Sequence, residues 1–109
     1  MSVYFVARIR ITDPVVYDKY LARVDEVFHA FHGTYLAVDA SPEVLEGDWD
    51  DARLVMIRFD SRDDLFAWYR SEAYQEILVH RLAGAECQTL LVKGLDEPAD
   101  DSGASRMAT

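Results

Sequence analysis

The sequence predicts a small α+β domain of order β-α-β-β-α-β, built to pair with a copy of itself. Three observations carry this reading. Apolar residues alternate with period two in segments 3–11, 53–59 and 87–93. They recur with helical spacing in 14–31 and 62–82, and more apolar sheet face results than two helical segments can cover.

In the first strand Val3, Phe5, Ala7, Ile9 and Ile11 share one face, and Tyr4, Val6, Arg8 and Arg10 the other. Asp13-Pro14 then opens a helix, with Asp13 as cap and Pro14 in the first turn. Its stripe is Tyr17, Tyr20, Leu21, Val24, Val27, Phe28 and Phe31, and Gly33 is the expected C-terminal cap. Thr34–Val38 reads as a strand that bends or bulges at Pro42 and resumes at Val44-Leu45-Glu46, forming a sheet edge. A turn at 47–51 leads to a strand at 53–59, with Val55, Ile57 and Phe59 on one face and Leu54, Met56 and Arg58 on the other. Ser61-Arg62-Asp63-Asp64 caps a second helix carrying Leu65, Trp68 and Tyr69. A break at Ser71 follows, then a helical segment with Tyr74, Ile77, Leu78 and Leu82, and a last strand over 87–93. From Asp96 the chain turns acidic and small, so the domain is read as 1–95 and 96–109 as a disordered tail.

This order is that of a ferredoxin-like sandwich, with helices on one face of the sheet. The other face then holds Tyr4, Val6, Leu54 and Met56 beside Arg8 and Arg58, and no segment is left to cover it. A second subunit is the simple solution, so a homodimer is expected.

A net charge of -9 disfavours nucleic acid and anionic membrane surfaces. No apolar run is long enough to span a bilayer, and the first residues lack the pattern of a secretory signal. The single cysteine, Cys87, fits a reducing compartment, so a cytoplasmic protein is expected.

Several motifs together resemble the family known as domain of unknown function 1330, within the dimeric α+β barrel superfamily. They are Tyr4-Phe5-Val6-Ala7-Arg8, Thr12-Asp13-Pro14 with Tyr17 and Tyr20, His32-Gly33-Thr34-Tyr35-Leu36, Val44-Leu45-Glu46-Gly47-Asp48-Trp49, Ala67-Trp68-Tyr69-Arg70-Ser71 and Glu72-Ala73-Tyr74-Gln75. His32 stands where the pattern has a second glycine, and Glu72 where it has a proline. The resemblance implies a ferredoxin-like subunit and a homodimer, and no established reaction. Other families of the superfamily include cofactor-independent oxygenases, haem-degrading enzymes and lactone isomerases, which is analogy at the level of fold.

Candidate chemistry is sparse. His32, at the end of the first helix, is the candidate general base, and a helix-end structural histidine is the competing reading. His29 and His32 are too few for a metal site, and no metal or cofactor is expected. Glu46 and Arg53 flank a turn, either as a cross-strand ion pair or with Glu46 facing a cleft. Arg8 and Arg58 fall on the face assigned to the partner, where carboxylates or an anionic ligand must answer them. Trp68, Tyr69 and Tyr74, with Tyr17 and Tyr20, are core aromatics or walls of a pocket for an aromatic or acyl ligand. Arg81 either anchors a ligand carboxylate there or is a solvated helix-end charge. Cys87 reads as a small core residue. The resulting expectation is a homodimer binding a small organic molecule between sheet and helices, with Arg8, Glu46, Arg58, Trp68, Tyr74 and Arg81 as candidate ligand-binding residues. The alternative is a non-enzymatic dimer module with no ligand.

Overall fold

A computed structural model describes residues 2–95; the expected acidic tail lies outside the described residues. The elements are β1 (Val3–Ile11), α1 (Pro14–His29), β2 (Thr34–Asp39), β3 (Arg53–Phe59), α2 (Arg62–Tyr69), α3 (Glu72–Gly84) and β4 (Ala85–Lys93). The strands form one antiparallel sheet of order β2-β3-β1-β4, with β1 and β3 central.

Side-chain caps set the helix starts. Asp13 accepts the Val16 N–H at 3.3 Å, and Ser61 accepts that of Asp64 at 3.0 Å. Ser71 works on two helices at once. Its hydroxyl donates to the Trp68 carbonyl at 2.8 Å and accepts the Tyr74 N–H at 3.1 Å, closing α2 and opening α3.

Three boundaries differ from the sequence expectation. Helix α1 stops at His29, and the left-handed residue after it is His32 (φ 65°), not Gly33. His32 occupies the position where the family pattern has a glycine, and histidine is among the side chains that visit this region. Gly33 is required by space instead: a Cβ there would lie 2.0 Å from the Phe28 ring. The second difference is β2. Its bulge falls between Tyr35 and Ala37, and Val44–Glu46 is not a strand. The Asp39 carboxylate accepts the Ser41 N–H at 2.9 Å, which turns the chain off the sheet before Pro42. The third is β4, which begins two residues early, directly after α3. Thr12 and Asp13 donate their N–H groups to the Gly84 carbonyl at 2.9 and 3.0 Å, so the end of α3 is tied to the end of β1.

Strand parity agrees with the sequence. Val3, Phe5, Ala7 and Ile9 are buried under the helices with Ile57 and Phe59. The core centres on Trp68, which is 0 % exposed. Its ring lies 4.2 Å from Tyr74, 5.0 Å from Phe5 and 5.4 Å from Phe59, centroid to centroid. Those rings come from α3, β1 and β3, so one side chain joins the helical layer to both central strands. On the opposite face Tyr4, Val6, Leu54 and Met56 are only half-buried, and Leu90 and Val92 are exposed.

Removing the Trp68 ring leaves a void bounded by three elements. Trp68→Ala is expected to lower unfolding free energy by about 3–5 kcal/mol, read by urea denaturation; a loss under about 1 kcal/mol would show that the ring does not join the layers.

Candidate ligand-binding cavity

The register of the sheet sorts its helix-facing side chains into rungs. Arg53, Ile9 and Cys87 stand side by side in one rung, Val38, Val55, Ala7 and Thr89 in the next, and Tyr35, Ile57, Phe5 and Leu91 in a third. Over the β2, β3 and β1 side of these rungs, α1 stands away from the sheet and leaves a cavity of about 500 Å³. Its walls are mostly apolar: Phe5, Ala7, Ile9, Val38, Val55 and Ile57 below, and Tyr17, Tyr20, Leu21 and Val24 above. Leu21 and Val38, both about half exposed, stand at its rim.

Polar groups gather at the two ends. At the Arg53 end stand Arg53, Arg81 and the Tyr17 hydroxyl. Arg81 is 2 % exposed, its guanidinium carbon 5.9 Å from the Tyr20 ring centroid. Its Nε and Nη1 are buried with no hydrogen-bond partner among the described residues, and so is the Arg53 Nε. A guanidinium stays protonated in proteins, so burial leaves Arg81 charged. An unsatisfied buried donor costs about 1–3 kcal/mol, and more when charged, so this end of the cavity is under-satisfied. At the other end Tyr35 donates its hydroxyl hydrogen to Asp25 at 2.8 Å.

Close backbone packing places Arg81. One turn beyond it Gly84 lies against α1, where a Cβ would come within 2.7 Å of the Tyr17 nitrogen. That approach brings the last turn of α3 onto the first turn of α1 and sets Arg81 beside Tyr17 and Tyr20. Behind them the Tyr20 and Tyr74 hydroxyls share a hydrogen bond of 2.8 Å.

Burial is the leading reason that the Tyr17, Tyr20, Tyr35 and Tyr74 phenols are all pushed above their ordinary value. Arg53 and Arg81 oppose the rise at Tyr17 without reversing it, and the Asp25 carboxylate adds to it at Tyr35. All four are therefore neutral hydrogen-bonding groups at neutral pH.

The residues singled out in the sequence scatter. Arg81 lines the cavity, and burial replaces the solvated charge allowed for it. It takes the inward position after Tyr74, Ile77 and Leu78 that the apolar stripe gave to Leu82, which is 61 % exposed. Trp68 and Tyr74 are fully buried core; Tyr74 stands behind the site, against the Tyr20 hydroxyl and the Arg81 guanidinium. His32 is exposed and does not line the cavity, and His29 is exposed as well. Among the described residues no group of three His, Cys, Asp or Glu side chains could hold a metal ion. Glu46 is exposed in segment 40–52, and among the described residues no ion pair joins it to Arg53, which parity turns inward. Arg8 and Arg58 lie on the open face as expected but do not crowd each other, because Arg8 pairs with Leu54 and Arg58 with Tyr4. Asp50 answers Arg8, which also lies over the Trp49 ring; Asp60 at 2.7 Å and the Ser2 hydroxyl answer Arg58.

Tyr17, Tyr20, Arg53, Asp25 and Tyr35 complete the cavity. Arg53 was findable from strand parity, since it shares the face of Val55 and Ile57; Asp25 was not, because it lies on the polar side of the α1 pattern.

Comparisons with known proteins fit this geometry. The family model described as domain of unknown function (DUF1330) matches residues 2–95. This chain belongs to that family. Its four-stranded antiparallel sheet, with the helices in β-α-β-β-α-β order, is the ferredoxin-like α+β fold. A protein of unknown function from Rhodopseudomonas palustris is similar at TM-score 0.72 and 17% identity, over 85% of this chain and 82% of that one. SnoaB, a cofactor-independent oxygenase from Streptomyces nogalater, is similar at TM-score 0.63 and 15% identity, over 91% and 98%. An antibiotic biosynthesis monooxygenase is similar at TM-score 0.53 and 15% identity, over 84% and 97%. At such identities these likenesses show the fold alone. No functionally curated protein matches the chain. Among the described residues no helix is long and apolar enough to cross a membrane.

The raised phenols give a pH prediction. The fold holds each phenol protonated, so above about pH 10 the unfolded chain releases protons that the folded one keeps. Their contribution to stability is whole below that pH and is lost as pH rises through the folded values. Thermal melts across the alkaline range should show melting temperature falling above about pH 10, less steeply in Tyr20→Phe. An unchanged slope in Tyr20→Phe would contradict the assignment.

Proposed function

We propose that this DUF1330 protein is a homodimer that binds a small organic molecule, aromatic or acyl in character, in the cavity between α1 and the sheet. The cavity carries this reading: about 500 Å³ of mostly apolar wall, closed at one end by a buried guanidinium. Ligand sites have this make-up, an apolar body with a few convergent polar groups. The oxygenase and monooxygenase neighbours share the fold, which by itself assigns no reaction to this chain.

The homodimer reading rests on the open sheet face. Val6 stands between Met56 and Leu90, with Tyr4, Leu54 and Val92 around them, and no helix of the described residues covers them. The arginines on that face do not oppose association, because Asp50 and Asp60 already pair with Arg8 and Arg58.

Two measurements test these readings. Thermal shift against neutral and anionic aromatic compounds, short acyl compounds and lactones should find at least one that raises the melting temperature, with saturation. Silence across all classes would favour a ligand-free module. Analytical ultracentrifugation should give a dimer that Val6→Asp converts to a folded monomer. A wild-type monomer at micromolar concentration would remove the dimer from the account.

A further inference from the structure

Among the described residues the ion pairs account for four arginines: Arg8 with Asp50, Arg10 with Glu86, Arg23 with Glu26 and Arg58 with Asp60. Arg62 and Arg70 lie over the Phe66 ring. Arg53 and Arg81 are in none of these pairs, and both face the cavity. In a chain of net charge -9 the two arginines that line the cavity, one of them 2 % exposed, are in none of the ion pairs among the described residues.

The carboxylate that lines the cavity does not answer them. Asp25 accepts the Tyr35 hydroxyl, and Tyr35 stands opposite Ile57, four residues along β3 from Arg53. At roughly 3.4 Å per residue that places Tyr35 about 14 Å from Arg53 along the sheet. Asp25 lies eight residues along α1 from Tyr17, about 12 Å at the helical rise, in the same direction. The cavity is therefore polarised, with cationic donors at one end, an aliphatic rung of Val38, Val55 and Ala7 between, and a phenol–carboxylate pair at the other.

From this arrangement we infer that the ligand is an organic carboxylate, its acid group seated between Arg81 and Arg53 and its apolar body lying over Val55 and Ala7 toward Tyr35. The inference rests on the proposed ligand cavity and narrows it to a charge and an orientation. The buried Arg81 Nε and Nη1 and the Arg53 Nε supply three donors that lack acceptors, and a planar carboxylate takes parallel bonds from a guanidinium. The Tyr17 hydroxyl, protonated at neutral pH, adds a neutral donor at the same end. Asp25, at the far end, repels a second negative charge, so the site selects a monoanion over a dicarboxylate of the same length.

Pairs matched in size and shape that differ in charge test this on the full chain. Calorimetric titrations use benzoate against benzamide and 3-phenylpropanoate against its primary amide, each in wild type, Arg81→Gln and Arg53→Gln. An acid preferred over its amide by about tenfold or more in wild type, reduced in either variant, is the expected result. Arg53→Gln keeps the test available if Arg81→Gln does not fold. Equal binding of acid and amide would overturn the carboxylate assignment and leave the general cavity reading standing. Preference for the acid that both variants retain would overturn the placement of its charge. Binding of neither pair, together with silence in the wider thermal-shift panel, would remove both readings.

Discussion

The helical layer is held to the sheet by Trp68, and the rest of the structure follows from where that ring sits. It is fully buried, and its neighbours Tyr74, Phe5 and Phe59 belong to α3, β1 and β3. The rings fill the space between the layers at the α2 side. Toward β2 and the first turns of α1 the Tyr17, Tyr20 and Tyr35 rings line the space between the layers without filling it, and that space is the cavity. Packing at one end and vacancy at the other are thus two results of one placement. Close-packed interiors leave few voids larger than a water molecule, so a gap of this size is a feature of the fold rather than slack in it.

The cations are divided between the two faces of the sheet. On the open face Asp50 and Asp60 neutralise Arg8 and Arg58, leaving the patch around Val6, Met56 and Leu90 free to meet an apolar surface. On the helical face Arg53 and Arg81 keep unanswered donors. Burying a charge without a carboxylate partner is costly, and none of the ion pairs among the described residues includes Arg53 or Arg81. A bound anion resolves that imbalance, whereas a water-filled cavity satisfies the donors without matching the charge.

Much of this was legible in the sequence, for identifiable reasons. Two-residue alternation placed Phe5, Ile57 and Phe59 inward and Val6 and Met56 outward, because one face of each strand is buried. Asp13, Ser61 and Ser71 announced helix starts because their side chains bond the free N–H groups there. In the misreadings a turn bond or a packing contact overrides the periodic pattern. Val44–Glu46 has strand composition, but the Asp39 turn leads the chain off the sheet first. His32, not Gly33, takes the left-handed conformation, while Gly33 answers to the Phe28 ring. Leu82 fits an apolar stripe, but the approach of Gly84 to Tyr17 turns Arg81 inward. The cavity itself was visible only in fragments. Arg53 follows from parity and Arg81 from helical spacing, but nothing local links either to Tyr35 or Asp25, which a different helix and an edge strand bring to the far end.

What occupies the space beside Arg81 decides the ligand assignment. A co-crystal structure grown with saturating benzoate is the most direct measurement. The account predicts the carboxylate within hydrogen-bond distance of the Arg81 guanidinium and the ring over Val55 and Ala7. A cavity holding only water under those conditions, or benzoate seated with its carboxylate in solvent, would contradict it.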